Sequence, residues 1–135
     1  MESDSELLNI FRDAVQDLLF QSEIDAPFEV MVWDKTKGTS ISATSILELT
    51  GNRPDDYFEQ MKLETLFSTP TLEQDWHSEE DKKKVMRFRT LQGTINSNLE
   101  EVQVYRCGKI NIKVYIVGRA SSGNIICIST SQLQT

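Results

Sequence analysis

His77 is the single histidine of the sequence, and histidine is the side chain whose ordinary pKa lies closest to neutrality. General-base catalysis would need a nucleophile and an orienting group beside it. The surrounding stretch, Gln74-Asp75-Trp76-His77-Ser78-Glu79-Glu80-Asp81, supplies no recognisable partner. The acid pairs Asp55-Asp56 and Glu79-Glu80 are consecutive, and neighbouring side chains diverge on a helix or a strand. They are poor candidates for converging carboxylates. Cys107 and Cys127 are each flanked by strand-forming residues and read as free, buried thiols. With one histidine and no paired cysteine motif, a zinc site is excluded. The sequence has no glycine-rich phosphate loop and no nucleophile elbow. The chain therefore reads as a non-enzyme without a cofactor; an enzyme centred on His77 is the catalytic alternative.

Two other residues are candidates for recognition. Trp76 stands in a polar loop just ahead of a helix start, as a lid on the core or as an exposed anchor for a partner. Residue type alone favours the lid, because most tryptophans are largely buried. Glu23 lies in an early loop with no obvious cation nearby and reads as a solvated glutamate.

Length and charge bound the function further. The chain has 135 residues, 39% of them hydrophobic, and a formal charge of −7. That suits one domain over residues 1–135 with a sizeable core. An acidic surface disfavours direct binding to nucleic acid or anionic membranes and suits a basic partner; it also favours solubility. No apolar run reaches the ~20 residues of a membrane helix. The start, Met1-Glu2-Ser3-Asp4-Ser5-Glu6, is acidic where a signal peptide is basic, so a cytoplasmic location is expected.

Apolar periodicity locates the elements. Leu7, Leu8, Phe11, Ala14, Val15, Leu18 and Leu19 recur at helical spacing and predict a helix over 5–21, capped by Asp4 or Ser5. Residues 21–27 read as a loop, from which Pro27 launches a strand over 28–33 with Phe28, Val30 and Val32 on one face. Residues 34–40 form a turn. Ser42 caps a short helix, Ala43 to Thr50, that Gly51 stops. Residues 58–63 read as a strand and 65–68 as a single helical turn. Ser78 and Asp81 resemble a capping box opening a helix over 79–98, its stripe being Val85, Phe88, Leu91 and Ile95, widened by Met86 and Leu99. Gly93 inside that helix suggests close packing on a sheet. Residues 102–107, 110–118 and 125–129 alternate as three antiparallel strands. Residues 130–135 make a polar tail expected to fray.

A series of segments gives these pieces a common context. Leu18-Leu19-Phe20-Gln21-Ser22-Glu23, Pro27-Phe28-Glu29-Val30, Gln74-Asp75-Trp76, Ser97-Asn98-Leu99, Gln103-Val104-Tyr105-Arg106, Val114-Tyr115-Ile116-Val117-Gly118 and Gly123-Asn124 resemble the nuclease A inhibitor (NuiA) family in order and spacing. The likeness spans nearly the whole chain and is weakest over 35–64. It implies an α+β fold: a three-layer α/β/α sandwich with a largely antiparallel central sheet, similar to pathogenesis-related proteins. It implies inhibition of a non-specific DNA/RNA endonuclease of the ββα-metal type, by a monomer that plugs the active site and forms a heterodimer with the nuclease. The family's loop glutamate, after Leu-Leu-Phe-x-Ser, corresponds to Glu23. Its tryptophan corresponds to Trp76, beside Gln74, and its terminal threonine to Thr135. Glu23 and the Thr135 carboxylate would then approach the Mg²⁺ held by the nuclease, and the protein would bind no metal of its own. Under this reading Trp76 is exposed. A small-molecule-binding or other protein-interaction module on the same fold is the alternative.

Overall fold

A computed structural model describes residues 3–21, 25–34, 36, 38–51, 58–68, 78–108 and 111–133 of the chain. In order, the elements are α1 (Asp4–Val15), β1 (Leu19–Gln21), β2 (Asp25–Pro27), β3 (Glu29–Trp33), α2 (Ala43–Thr50), β4 (Phe58–Met61), α3 (Leu63–Leu66), α4 (Glu79–Asn98), β5 (Glu100–Cys107), β6 (Asn111–Arg119) and β7 (Ile125–Leu133). The fold is α+β. Five strands form an antiparallel sheet in the order β3-β7-β6-β5-β4, and β1 and β2 form a separate hairpin. The short links of the β5-β6-β7 meander make those strands antiparallel neighbours, as their alternation predicts.

That alternation divides the apolar residues between two clusters. One holds Val30 and Val32 with Val104, Val114, Ile116, Ile126 and Ile128, packed against Leu7 and Phe11 of α1 and Phe88, Leu91 and Ile95 of α4. The other holds Met31, Trp33, Tyr105, Val117, Ile125 and Cys127, packed against Ile46 of α2. Phe88 meets Phe28 and Phe67 edge-on, at centroid distances of 6.2 and 5.6 Å. Both cysteines are buried, and neither is in a disulfide.

Local signals hold where the chain itself supplies the capping atoms. Ser42 accepts from Ser45 N, and Gly51 ends α2 with φ +74°. Ser78 and Asp81 form the reciprocal box at α4. Elsewhere tertiary contacts move the boundaries. The first helix stops at Val15, not residue 21, because Asp17 turns left-handed at φ +58°. The turn keeps Leu18 in the core and leaves Leu19 37% exposed. Of residues 21–27, expected as a loop, Gln21 and Asp25 to Pro27 instead pair as parts of β1 and β2, and 22–24 lie outside the described residues. Ser3 is the cap of α1, in place of Asp4 or Ser5. Asp4 instead accepts from Ser122 Oγ at 2.6 Å and Asn124 Nδ2 at 3.0 Å. β4 ends at Met61, and Leu63 opens α3, where it is buried. Met86, expected to widen the α4 stripe, points outward and is 55% exposed.

The glycine expectation is overturned. Among the described residues, a Cβ on Gly93 would meet nothing within 4 Å, so Gly93 serves no close packing against them. The close approach is at Gly118 on β6, where a Cβ would lie 2.7 Å from Leu99 Cβ. Leu99 caps α4 and starts the return into β5, so the missing side chain lets helix and sheet join.

Arg119 organises this same end of the sheet. Its guanidinium donates to the carbonyls of Gly123 (2.8 Å), Thr36 (3.3 Å) and Thr39, while Nε meets Glu101 Oε2 at 2.6 Å. Glu101 lies at an irregularity in β5, with φ +55°. Thr36, 2% exposed, accepts from Ile125 N and donates to Trp33 O. The segment after β3 is thereby pinned to the β6-β7 turn.

Two predictions test this packing, both by urea denaturation. Gly93→Ala should stabilise the protein by about 0.5–1 kcal/mol, since it improves helix propensity without a clash. Gly118→Ala should destabilise it by about 1–3 kcal/mol through overlap with Leu99. Separately, Arg119→Ala should lower stability by about 2–3 kcal/mol, because three carbonyls lose a charged donor. The ion pair to Glu101, whose side chain is 58% exposed, adds little to that figure.

Candidate functional site

The expected recognition residues Glu23, Gln74, Trp76 and Thr135 all lie outside the described residues, as does His77. The structure describes the elements from which those positions depart. Gln21 pairs with Asp25, so the three residues 22–24 join the two strands of the hairpin. Ser78, two positions after Trp76, is the cap of α4. Leu133, two positions before Thr135, ends β7.

These three departure points lie toward one end of the sheet. The opposite end is marked by Arg119, which pairs with Glu100 and with Ile125. From there β7 runs to its far end, where Leu133 pairs with Asn111. α4 joins β5 through Leu99 alone and must double back along it. Its 20 residues, rising ~1.5 Å each, extend about 30 Å and bring Ser78 to that far end. α1 starts beside Ser122 and Asn124 and finishes against α4, where Arg87 donates to Ala14 O at 3.1 Å and to Gln16 O. The hairpin follows directly. Its base is tied to the later half of β7 by Thr130, whose hydroxyl donates to Pro27 O at 2.9 Å.

The expected fraying of residues 130–135 is thus corrected for 130–133. Thr130, Ser131, Gln132 and Leu133 continue β7 opposite Val114, Lys113, Ile112 and Asn111. Thr130 is 4% exposed. A polar composition misled the reading here: the side chains of Thr130, Ser131 and Gln132 are polar because they bond to neighbouring strands. Lys113 Nζ donates to Ser131 Oγ at 3.0 Å on one face. On the other, Arg106 donates to Gln132 Oε1 at 2.9 Å and lies 3.5 Å from Glu59 Oε2. The sequence reading missed Arg106, Thr130 and Gln132. The period-two positions Thr130 and Gln132, in register with Ile126 and Ile128, were the available signal.

The first turn of α4 adds negative charge at this end: Glu79 and Glu80 are exposed, while Asp81 is taken up in the cap. The helix dipole stabilises all three. Nucleophilic chemistry has no support among the described cysteines. Burial pushes the Cys127 thiol far above its usual range, so it stays protonated. Burial also raises the Tyr105 phenol, which stacks on Phe58 at 5.2 Å. Among the described residues no group of three or more His, Cys, Asp or Glu side chains is placed to hold a metal ion.

The arrangement is a sheet end toward which the β1-β2 hairpin, the start of α4 and the end of β7 are directed. None of the curated proteins matches the chain. Among protein families, the one described as "Nuclease A inhibitor-like protein" matches residues 5–135, nearly the full length. The chain belongs to the nuclease A inhibitor-like family.

Proposed function

We propose that this protein inhibits a Mg²⁺-dependent, sugar-non-specific DNA/RNA endonuclease of the ββα-metal type by plugging its active site. Family membership supports a nuclease as the partner. The observation that carries the mechanism is the convergence of Gln21 and Asp25, Ser78 and Leu133 toward one end of the sheet. In this reading Glu23, Gln74, Trp76 and Thr135 form one binding surface there. The inhibitor works as a monomer, needs no cofactor and catalyses nothing; with the nuclease it forms a heterodimer. We further read the fold as the three-layer α/β/α sandwich of pathogenesis-related proteins. The two apolar clusters, one with α1 and α4 and one with α2, support that reading. No described helix is long and apolar enough to cross a membrane; the proposed location is cytoplasmic.

The chemistry follows from what a nuclease site offers. A hard divalent cation takes oxygen ligands, and the surrounding basic groups are built to hold phosphate. The Glu23 carboxylate and the Thr135 terminal carboxylate supply oxygens that take the place of phosphate oxygens. Trp76 adds a large, rigid anchor of the kind that dominates interface energies. The charge of −7 steers the inhibitor toward a basic cleft and speeds encounter.

Inhibition assays with a purified nuclease of this type test the assignment. Glu23→Ala and Trp76→Ala should each weaken inhibition by at least ~2 kcal/mol, roughly 30-fold, with unchanged circular dichroism. Normal inhibition by both variants would remove these residues from the site. A short extension past Thr135 should also weaken inhibition by moving the carboxylate; full inhibition by the extended chain would show that the terminus takes no part.

A further inference from the structure

The last turns of β7 are held in an unusual way. Up to Ser129 the strand is paired on both sides, with β3 and with β6. Among the described residues, Ser131 to Leu133 pair only with β6. A strand hydrogen-bonded on one side opens more readily than one bonded on two. Two side-chain bonds reinforce this stretch, one on each face: Lys113 to Ser131 and Arg106 to Gln132. The Lys113 bond is exposed, so water competes with it. The Arg106 bond is part-buried, and the arginine side chain is only 16% exposed.

The path of that second bond matters. Arg106 belongs to β5 and Gln132 to β7, and β6 lies between them. Arg106 pairs with Val114, while Gln132 pairs with Ile112. The guanidinium therefore reaches diagonally over β6. It also meets Glu59 of β4, so one planar fork links three strands.

We propose that Arg106 is a positioning residue for the carboxyl terminus. By fixing Gln132 it sets where the terminal carboxylate can reach. Thr135 lies three positions after Gln132, a span of at most about 10 Å. On so short a tether, any spread in the position of Gln132 is passed on to the carboxylate. Holding the strand end before encounter removes that loss of freedom from the binding step. The inference rests on the inhibitory reading above, in which the terminal carboxylate acts at the nuclease metal.

The test is a double-mutant cycle read in two ways. Arg106→Lys keeps the charge beside Glu59 but loses the fork. Gln132→Ala removes the acceptor from a half-buried position and provides a variant that leaves the sheet intact. Each should weaken inhibition of a Mg²⁺-dependent non-specific endonuclease roughly tenfold. In a chain extended by a short segment past Thr135, the same substitutions should change inhibition less than about twofold, because the carboxylate they position has been moved away. An equal loss in both backgrounds would make Arg106 a structural residue and overturn the proposal. Amide exchange on the free protein is read in parallel. The amides of residues 131–133 should exchange faster in both variants, while those of Ile126 and Ile128 keep their protection. Unchanged exchange at 131–133 would also overturn it. Failure of the wild-type chain to inhibit any such nuclease would instead count against the functional reading, with the exchange result still deciding the clamp.

Discussion

The pairing of β7 is the constraint on which the rest of the structure depends. It is the last strand in the chain yet lies inside the sheet, between β3 and β6. Its apolar residues feed both faces: Ile126 and Ile128 enter the cluster under α1 and α4, and Ile125 and Cys127 the cluster under α2. A strand buried on both faces fixes its register strongly, since a one-residue slip would exchange every side chain between two unlike surroundings. Because β7 is fixed, its continuation to Leu133 emerges in a defined direction. The β1-β2 hairpin is set against that same strand through Thr130.

The two ends of the sheet are built differently. At one end, Arg119, Thr36, Asn124 and Asp4 form a dense polar network that ties loops, the first helix and the β6-β7 turn to one another. At the same end α4 crosses into β5 over the space left by Gly118. These contacts act within the chain and satisfy backbone carbonyls that turns leave over. Toward the other end, among the described residues, Arg106 and Gln132 tie strand to strand and Thr130 ties the hairpin to β7.

Charge links the surface to the proposed role. An excess of seven negative charges would be a poor companion for nucleic acid, but it matches a protein cleft that is itself basic. The acidic first turn of α4 lies at the end where the chain positions flanking Glu23, Trp76 and Thr135 gather. Its carboxylates are stabilised by the helix dipole, so they carry negative charge there at little cost to folding.

The sequence by itself determined the elements whose signals are local. Ser42 with Gly51, Ser78 with Asp81, and the stripe Val85, Phe88, Leu91 and Ile95 gave α2 and α4 their bounds, because caps and helical periodicity involve atoms a few residues apart. The alternation of the last three strands likewise fixed which face each side chain takes. The family was legible too, because its segments keep their order along the chain. Tertiary structure decided what depended on distant neighbours. Leu18 and Leu19 continue a helical stripe, yet the left-handed turn at Asp17 makes one a core residue and the other a strand residue. Thr130 and Gln132 look like a fraying tail until their partners, Pro27 and Arg106, are brought across the sheet. Gly93 and Gly118 look alike in sequence, and only the position of Leu99 tells them apart. Glu23, Trp76 and Thr135 are separated by over fifty residues each; periodicity carries no information at that range, and only the strand order and the doubling back of α4 bring their flanks to one end.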